Sequence, residues 1–123
     1  MNLQELKEQV LFQIGSDLEE MEEALPFLVR FLNDGYDRLA MVCFGRHVSM
    51  DDPVLTPLSH DRAVPAVPVW AHGAIADWAS WMLYRSGGAS RQNRGYVFRS
   101  AFEETEKKLR LEKQTKQFIN IPG

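Results

Sequence analysis

Leu3, Leu6, Val10 and Ile14 recur at the three-to-four-residue spacing that lines one face of an α-helix. Asn2 followed by Glu5 is a capping-box pattern, in which each side chain bonds the other residue's backbone N–H, so a helix is predicted from there to about Ile14, stopped by Gly15. Ser16 with Glu19 repeats the pattern, and the acidic residues of 17–23 suit a helix N-terminus, where the macrodipole favours negative charge. Pro26 is tolerated in a first turn but not inside a helix, which places a break near Leu25 and a new helix over about 25–44. Its inward face is predicted to carry Leu28, Leu32, Leu39 and Val42 or Cys43, with Arg30, Asn33, Asp34, Asp37 and Arg38 outside. Gly35 costs about 1 kcal/mol relative to Ala in mid-helix and is expected to mark close contact with another helix. Gly45 follows as the glycine cap.

The period is lost over 46–69, which holds four of the six prolines (Pro53, Pro57, Pro65 and Pro68). A connection of this length in a small domain is expected to be functional, and Val48, Val54, Leu55, Leu58, Val64 and Val67 predict that parts are extended and packed, as a short hairpin or an arm. A third helix is predicted in VPVWAHGAIADWASWMLYRSGG, started by Pro68 and ended by Gly87 and Gly88. Trp70, Ala74, Ile75, Trp78, Ala79, Trp81, Met82, Leu83 and Tyr84 leave it almost no polar face, the pattern of a helix central to a core or shared with a partner. Three tryptophans, each with about 150–250 Å² to bury, exceed what so small a core needs, and the surplus reads as interface. The last helix is expected from a cap at Ser90 to about Lys116, along a seam of Phe98, Phe102, Thr105 and Leu109. Its second half places Glu103 with Lys107, Glu104 with Lys108, Glu106 with Arg110 and Glu112 with Lys116, pairs that let a helix project into solvent. The apolar tail Phe118, Ile119 and Ile121 is expected to dock, on its own domain or on a neighbour.

The pattern therefore predicts a mainly α fold: one domain over 1–123, a bundle of four to five helices with a long Pro-containing connection at 46–69 and an extended tail at 117–123. At 123 residues the chain supports one hydrophobic core, and 45% hydrophobic with 25% charged residues is a globular balance. Cys43, the only cysteine, has no internal disulfide partner, and neither a signal segment nor an apolar run of membrane-spanning length is present, so the expected place of synthesis is the cytoplasm.

Charge changes the picture more. A formal net charge of −3 disfavours a general nucleic-acid binder. Residues 1–61 carry twelve acidic and four basic side chains, net −8, whereas 62–123 carry five acidic and ten basic, net +5. Opposite halves favour packing within one molecule, or a head-to-tail contact between molecules of the kind that closes into rings. Arg85, Arg91, Arg94 and Arg99 cluster around the last interhelical turn, as a rim facing the acidic half or an acidic partner, or as a patch facing phosphate whose field would sum in a ring.

No phosphate-binding glycine loop, nucleophile elbow or paired-ligand zinc motif is present. His47, His60, Asp61, His72 and Asp77 match no standard metal spacing and read as loop and capping residues. Cys43 lies on an apolar face and reads as core, and the carboxylates of 19–23 as a solvated face. Neither an enzymatic activity nor a cofactor is expected.

The stretch VPVWAHGAIADWASWMLYRSGGASRQNRGYVFRSAFEETEKKL, preceded by LEEMEEALPFLVRFLNDGYDRL, resembles the small head-to-tail connector (adaptor, or head-completion) proteins of tailed bacteriophages and prophages. The likeness spans residues 16–110 and rests on helix order and on Trp70, Asp77, Tyr84, Arg85, Gly87, Arg94 and Gly95. It implies a structural, non-enzymatic neck protein in the virion, forming a ring between portal and tail around the DNA path. Its partners would be copies of itself, the portal and tail-side neck proteins, with at most weak, non-specific DNA contact through the arginines and no membrane. Trp70, Trp81 and Tyr84, with Phe118, Ile119 and Ile121 of the tail, are then the candidate subunit or portal contacts. A different class fits the same pattern: a small helical module that regulates a phage or host enzyme through the tryptophan helix.

Overall fold

The computed structural model describes residues 1–119, with side chains to residue 115. Four α-helices make up the body: α1 (Leu3–Ile14), α2 (Leu28–Phe44), α3 (His72–Arg85) and α4 (Ala89–Ile119), with short 3-10 segments at Gly15–Met21, Leu25–Phe27 and Val69–Ala71. The architecture is the predicted mainly helical bundle, and α3 packs against each of the other three helices.

α1 is built as its pattern requires. The Asn2 side chain accepts from the Glu5 N–H at 2.9 Å and Glu5 accepts from the Asn2 N–H at 3.0 Å. Leu3, Leu6, Val10 and Ile14 are all buried. The second capping-box signal fails. The segment Gly15–Met21 is a 3-10 turn without a side-chain cap, because Asp17 and Glu20 turn instead toward Arg94 while Met21 enters the core. α2 starts at Leu28, after a 3-10 turn containing Pro26, and ends at Gly45, whose φ of 69° is the left-handed cap that a side chain would strain.

α3 is central because small and large residues alternate around its whole circumference. Ala74, Ala76 and Ala79 are buried beside Ile75, Leu83, Trp81 and Tyr84, as a helix without a polar face must be. Two glycines let its neighbours approach. A Cβ at Gly35 of α2 would lie 3.0 Å from the Trp78 Cβ, and one at Gly95 of α4 only 2.4 Å from the Tyr84 Cβ. The predicted close contact at Gly35 is thus with α3.

Over 46–69 no strand forms among the described residues, so the connection is a packed arm and not a hairpin. Leu55, Leu58 and Val67 enter the core, while Val54 and Val64 stay exposed. Its backbone is satisfied by α2 in place of a strand ladder. Asn33 donates to the Leu58 carbonyl at 3.0 Å and accepts from its N–H at 2.7 Å; the Tyr36 hydroxyl accepts from Ala66 at 2.9 Å; Asp37 accepts from Val48 at 2.8 Å. The arm in turn supplies the carbonyls of Ala63 and Asp61 to the free N–H groups of Leu3 and Gln4 at the start of α1.

α4 opens at Ala89, so Ser90 lies in its first turn and does not cap it. The helix continues to Ile119, so the stretch expected to be extended from residue 117 is helical that far; residues 120–123 lie outside the described residues. Of the i,i+4 pairs predicted on it, Glu104–Lys108 forms at 4.0 Å and Glu106–Arg110 at 3.5 Å, and Glu103 pairs backward with Arg99 at 2.8 Å.

Candidate interaction surface

The aromatic residues of α3 meet those of α4 in a three-rung ladder. Trp78 lies 4.9 Å from Phe102, Trp81 4.9 Å from Tyr96 and Tyr84 5.8 Å from Phe98, centroid to centroid. The contact leaves Trp81 2% and Tyr84 4% exposed. These two expected partner contacts are corrected: their surface is spent within the chain, because α4 carries an aromatic opposite each of them. Trp70 differs. It sits on the 3-10 turn before α3 and is 51% exposed, beside Val69 at 78%. Phe12 on α1 is 81% exposed. The side chains of Phe118, Ile119 and Ile121 lie outside the described residues.

The arginine cluster forms around the same helix pair, and most of it is engaged. Arg94 reaches Asp17 at 2.6 Å and Glu20 at 2.7 Å. Arg91 donates to the Glu20 carbonyl and, at 3.4 Å, to Ser86 Oγ. Arg99 holds Glu103 and lies over the Trp81 ring, 5.4 Å from its centroid. Arg85 alone of the four has no ion pair or hydrogen bond among the described residues. The acidic and basic halves therefore meet inside one molecule at the end of the bundle. Tyr84 completes this clamp by donating its hydroxyl to Asp17 at 2.5 Å, and burial together with that carboxylate pushes its pKa up to about 12. The remaining carboxylates of this region, Glu19, Glu22 and Glu23, are exposed.

The histidines do not converge. His47 is exposed and sits 3.0 Å from Asp37; His60 is exposed. His72 is buried, its Nε2 2.9 Å from the Val67 carbonyl and its Nδ1 2.7 Å from the Met1 amino group. Nε2 must carry the proton to meet a carbonyl, so Nδ1 accepts, and burial lowers the pKa of this neutral ring. Asp77 accepts from Gln13 at 2.9 Å, and Gln13 accepts from Ser80 at 2.6 Å, a polar bridge between α1 and α3; burial raises the Asp77 pKa. Among the described residues no three His, Cys, Asp or Glu side chains are grouped to hold a metal ion. Cys43 packs against the core.

Asn33, Asp37, Tyr36 and Gln13 are the residues that sequence reading missed or placed on the outer face. The signal was present in part, since 33, 36 and 37 share one helical face and all three carry hydrogen-bonding side chains. Their partners, 11 to 30 residues away, were not legible. Two of the clefts are lined by both α2 and α4. One of about 680 Å³ lies between α2 and α4, with Met41, Val42, Glu106 and Arg110 among its walls. The other, of about 350 Å³, lies over the tryptophans of α3.

No family model matches the chain, and neither a curated protein nor a solved structure matches it. Among the described residues no helix is long and apolar enough to cross a membrane.

Proposed function

We propose that the chain is a structural neck component of a tailed phage or prophage, assembling with copies of itself into a ring between portal and tail around the DNA path. The resemblance of residues 16–110 to connector proteins supports this, and so does apolar surface that the bundle leaves uncovered. The observation that carries the reading is the exposed apolar group at the head of α3 and on the arm: Val69 at 78%, Trp70 at 51%, Met50 at 79% and Val64 at 60% exposed. Scattered apolar residues are ordinary on a surface, but a half-exposed tryptophan beside a valine on a rigid turn is the kind of anchor that interfaces use. Ring closure would further require a second, complementary patch on the same subunit.

The charge argument for self-association is narrower than the sequence alone suggested, because Arg94 already pairs with Asp17 and Glu20 within the chain. Exposed Glu19, Glu22 and Glu23 remain as the acidic surface for a neighbour. Negative-stain microscopy of the chain mixed with portal protein tests the reading, with rings or portal-bound density expected. A strict monomer that neither forms rings nor binds portal overturns it. Recovery of a single enzyme and no virion protein in a pull-down would replace it with the regulatory-module reading.

A further inference from the structure

The cleft of about 350 Å³ over α3 is floored by Trp78 and Trp81 and walled by Arg38, Arg85, Gln92, Arg99 and Glu103. Its lining carries three guanidinium groups against one carboxylate on a chain whose net charge is −3; Arg38 also faces Glu106 at 4.0 Å and Arg99 faces Glu103 at 2.8 Å. Such a concave site concentrates field lines and draws anions. The arginines are also held. Arg38 lies 4.4 Å from the Trp78 ring centroid and Arg99 5.4 Å from that of Trp81. A guanidinium laid against an indole loses much of its rotational freedom beforehand, and the N–H groups that do not face Glu106 or Glu103 remain for an oxyanion. Arg85, the third, has no ion pair or hydrogen bond among the described residues. Its charge is available to a ligand without breaking any contact.

We infer that this cleft binds a small phosphate-bearing molecule, a phosphate monoester or pyrophosphate. A phosphate monoester carries about −1.5 to −2 near neutral pH and three acceptor oxygens, so it can engage more than one of the guanidinium groups at once, where a carboxylate offers a single charge and two oxygens. Paired guanidinium edges grip phosphate oxygens bidentately. A volume of about 350 Å³ is at the small end of ligand sites, room for a small molecule and not for a length of polymer. Glu103 opposes the ligand by its own charge and by occupying Arg99 at 2.8 Å, so it tunes the affinity downward.

The test is tryptophan fluorescence of the full chain in a Trp70→Phe background, where the emission comes from Trp78 and Trp81. Pyrophosphate and glycerol 3-phosphate are titrated at constant ionic strength, with a short DNA duplex at equal phosphate concentration as a separate arm. Saturable change with the two small phosphates and not with DNA is expected. Arg85→Ala and Arg99→Ala should each weaken binding about tenfold or more, the loss of a charge-assisted hydrogen bond. Glu103→Gln should tighten it, and Arg62→Ala, in the arm, should leave it unchanged. Arg85 is exposed and unpaired, so its variant keeps the fold, as circular dichroism would verify. No saturable response, a response to DNA alone, an unaltered Arg85→Ala, or weakening by Glu103→Gln overturns the inference.

Discussion

His72 shows how one side chain can be misjudged from its spacing alone. Read as a loop or capping residue, it is buried, with one ring nitrogen donating to Val67 and the other accepting from the Met1 amino group. Protonation would place a second cation against that amino group in a desolvated setting, and burial accordingly lowers its pKa. A group with a depressed folded-state pKa contributes stability above its unfolded value of about 6.5, and that contribution is lost as pH falls below it. The melting temperature of the protein should therefore fall as pH drops below about 6.5, and His72→Gln, which keeps a donor for Val67, should flatten this dependence. Gly95 makes a second prediction at this scale. Gly95→Ala sets a methyl 2.4 Å from the Tyr84 Cβ, so α4 must move away from α3, and denaturant unfolding should show a loss of about 1–3 kcal/mol.

Among the elements, α3 and the arm decide the architecture by different means. The α3–α4 contact is apolar and redundant, a ladder of three aromatic pairs. Trp81→Ala removes one rung from a site that is 2% exposed, and should cost about 3–5 kcal/mol in chemical denaturation. The arm is held by polar side chains of α2. Asn33→Ala takes both hydrogen bonds from Leu58, whose side chain is 2% exposed, and should cost about 2 kcal/mol. Amide exchange should accelerate over 55–67 while α3 stays protected, because the bond that is lost belongs to the arm.

The whole molecule divides its surplus. Its aromatic excess is mostly consumed by α3 and α4, and its opposite charges meet at Arg94, Asp17 and Glu20. Exposed apolar surface remains, among other places, at the turn of Val69 and Trp70, at Phe12, at Val97 and on the arm. If the proposed ring forms through this turn, Trp70→Glu abolishes that self-association in sedimentation velocity; it should in any case leave the melting temperature within a degree or two, since a half-exposed residue on a turn contributes little to the core. A large loss of melting temperature would show that Trp70 belongs to the fold and not to an interface.

Periodicity by itself determined that α1, α2 and α3 form, the buried stripe of α1 and the core-facing leucines of α2, because a helix's hydrogen bonds are local and its buried stripe is written every three to four residues. The caps at Asn2 and Gly45 were legible for the same reason. Tertiary structure alone decided where the second capping signal went, that the arm is pinned by Asn33, Tyr36 and Asp37, and which arginine stays unpaired. Those outcomes depend on groups brought together from opposite ends of the chain. Glu20 and Arg94 are 74 residues apart, and no local pattern states that their charges will meet or that, once they have, Arg85 is the one left facing solvent.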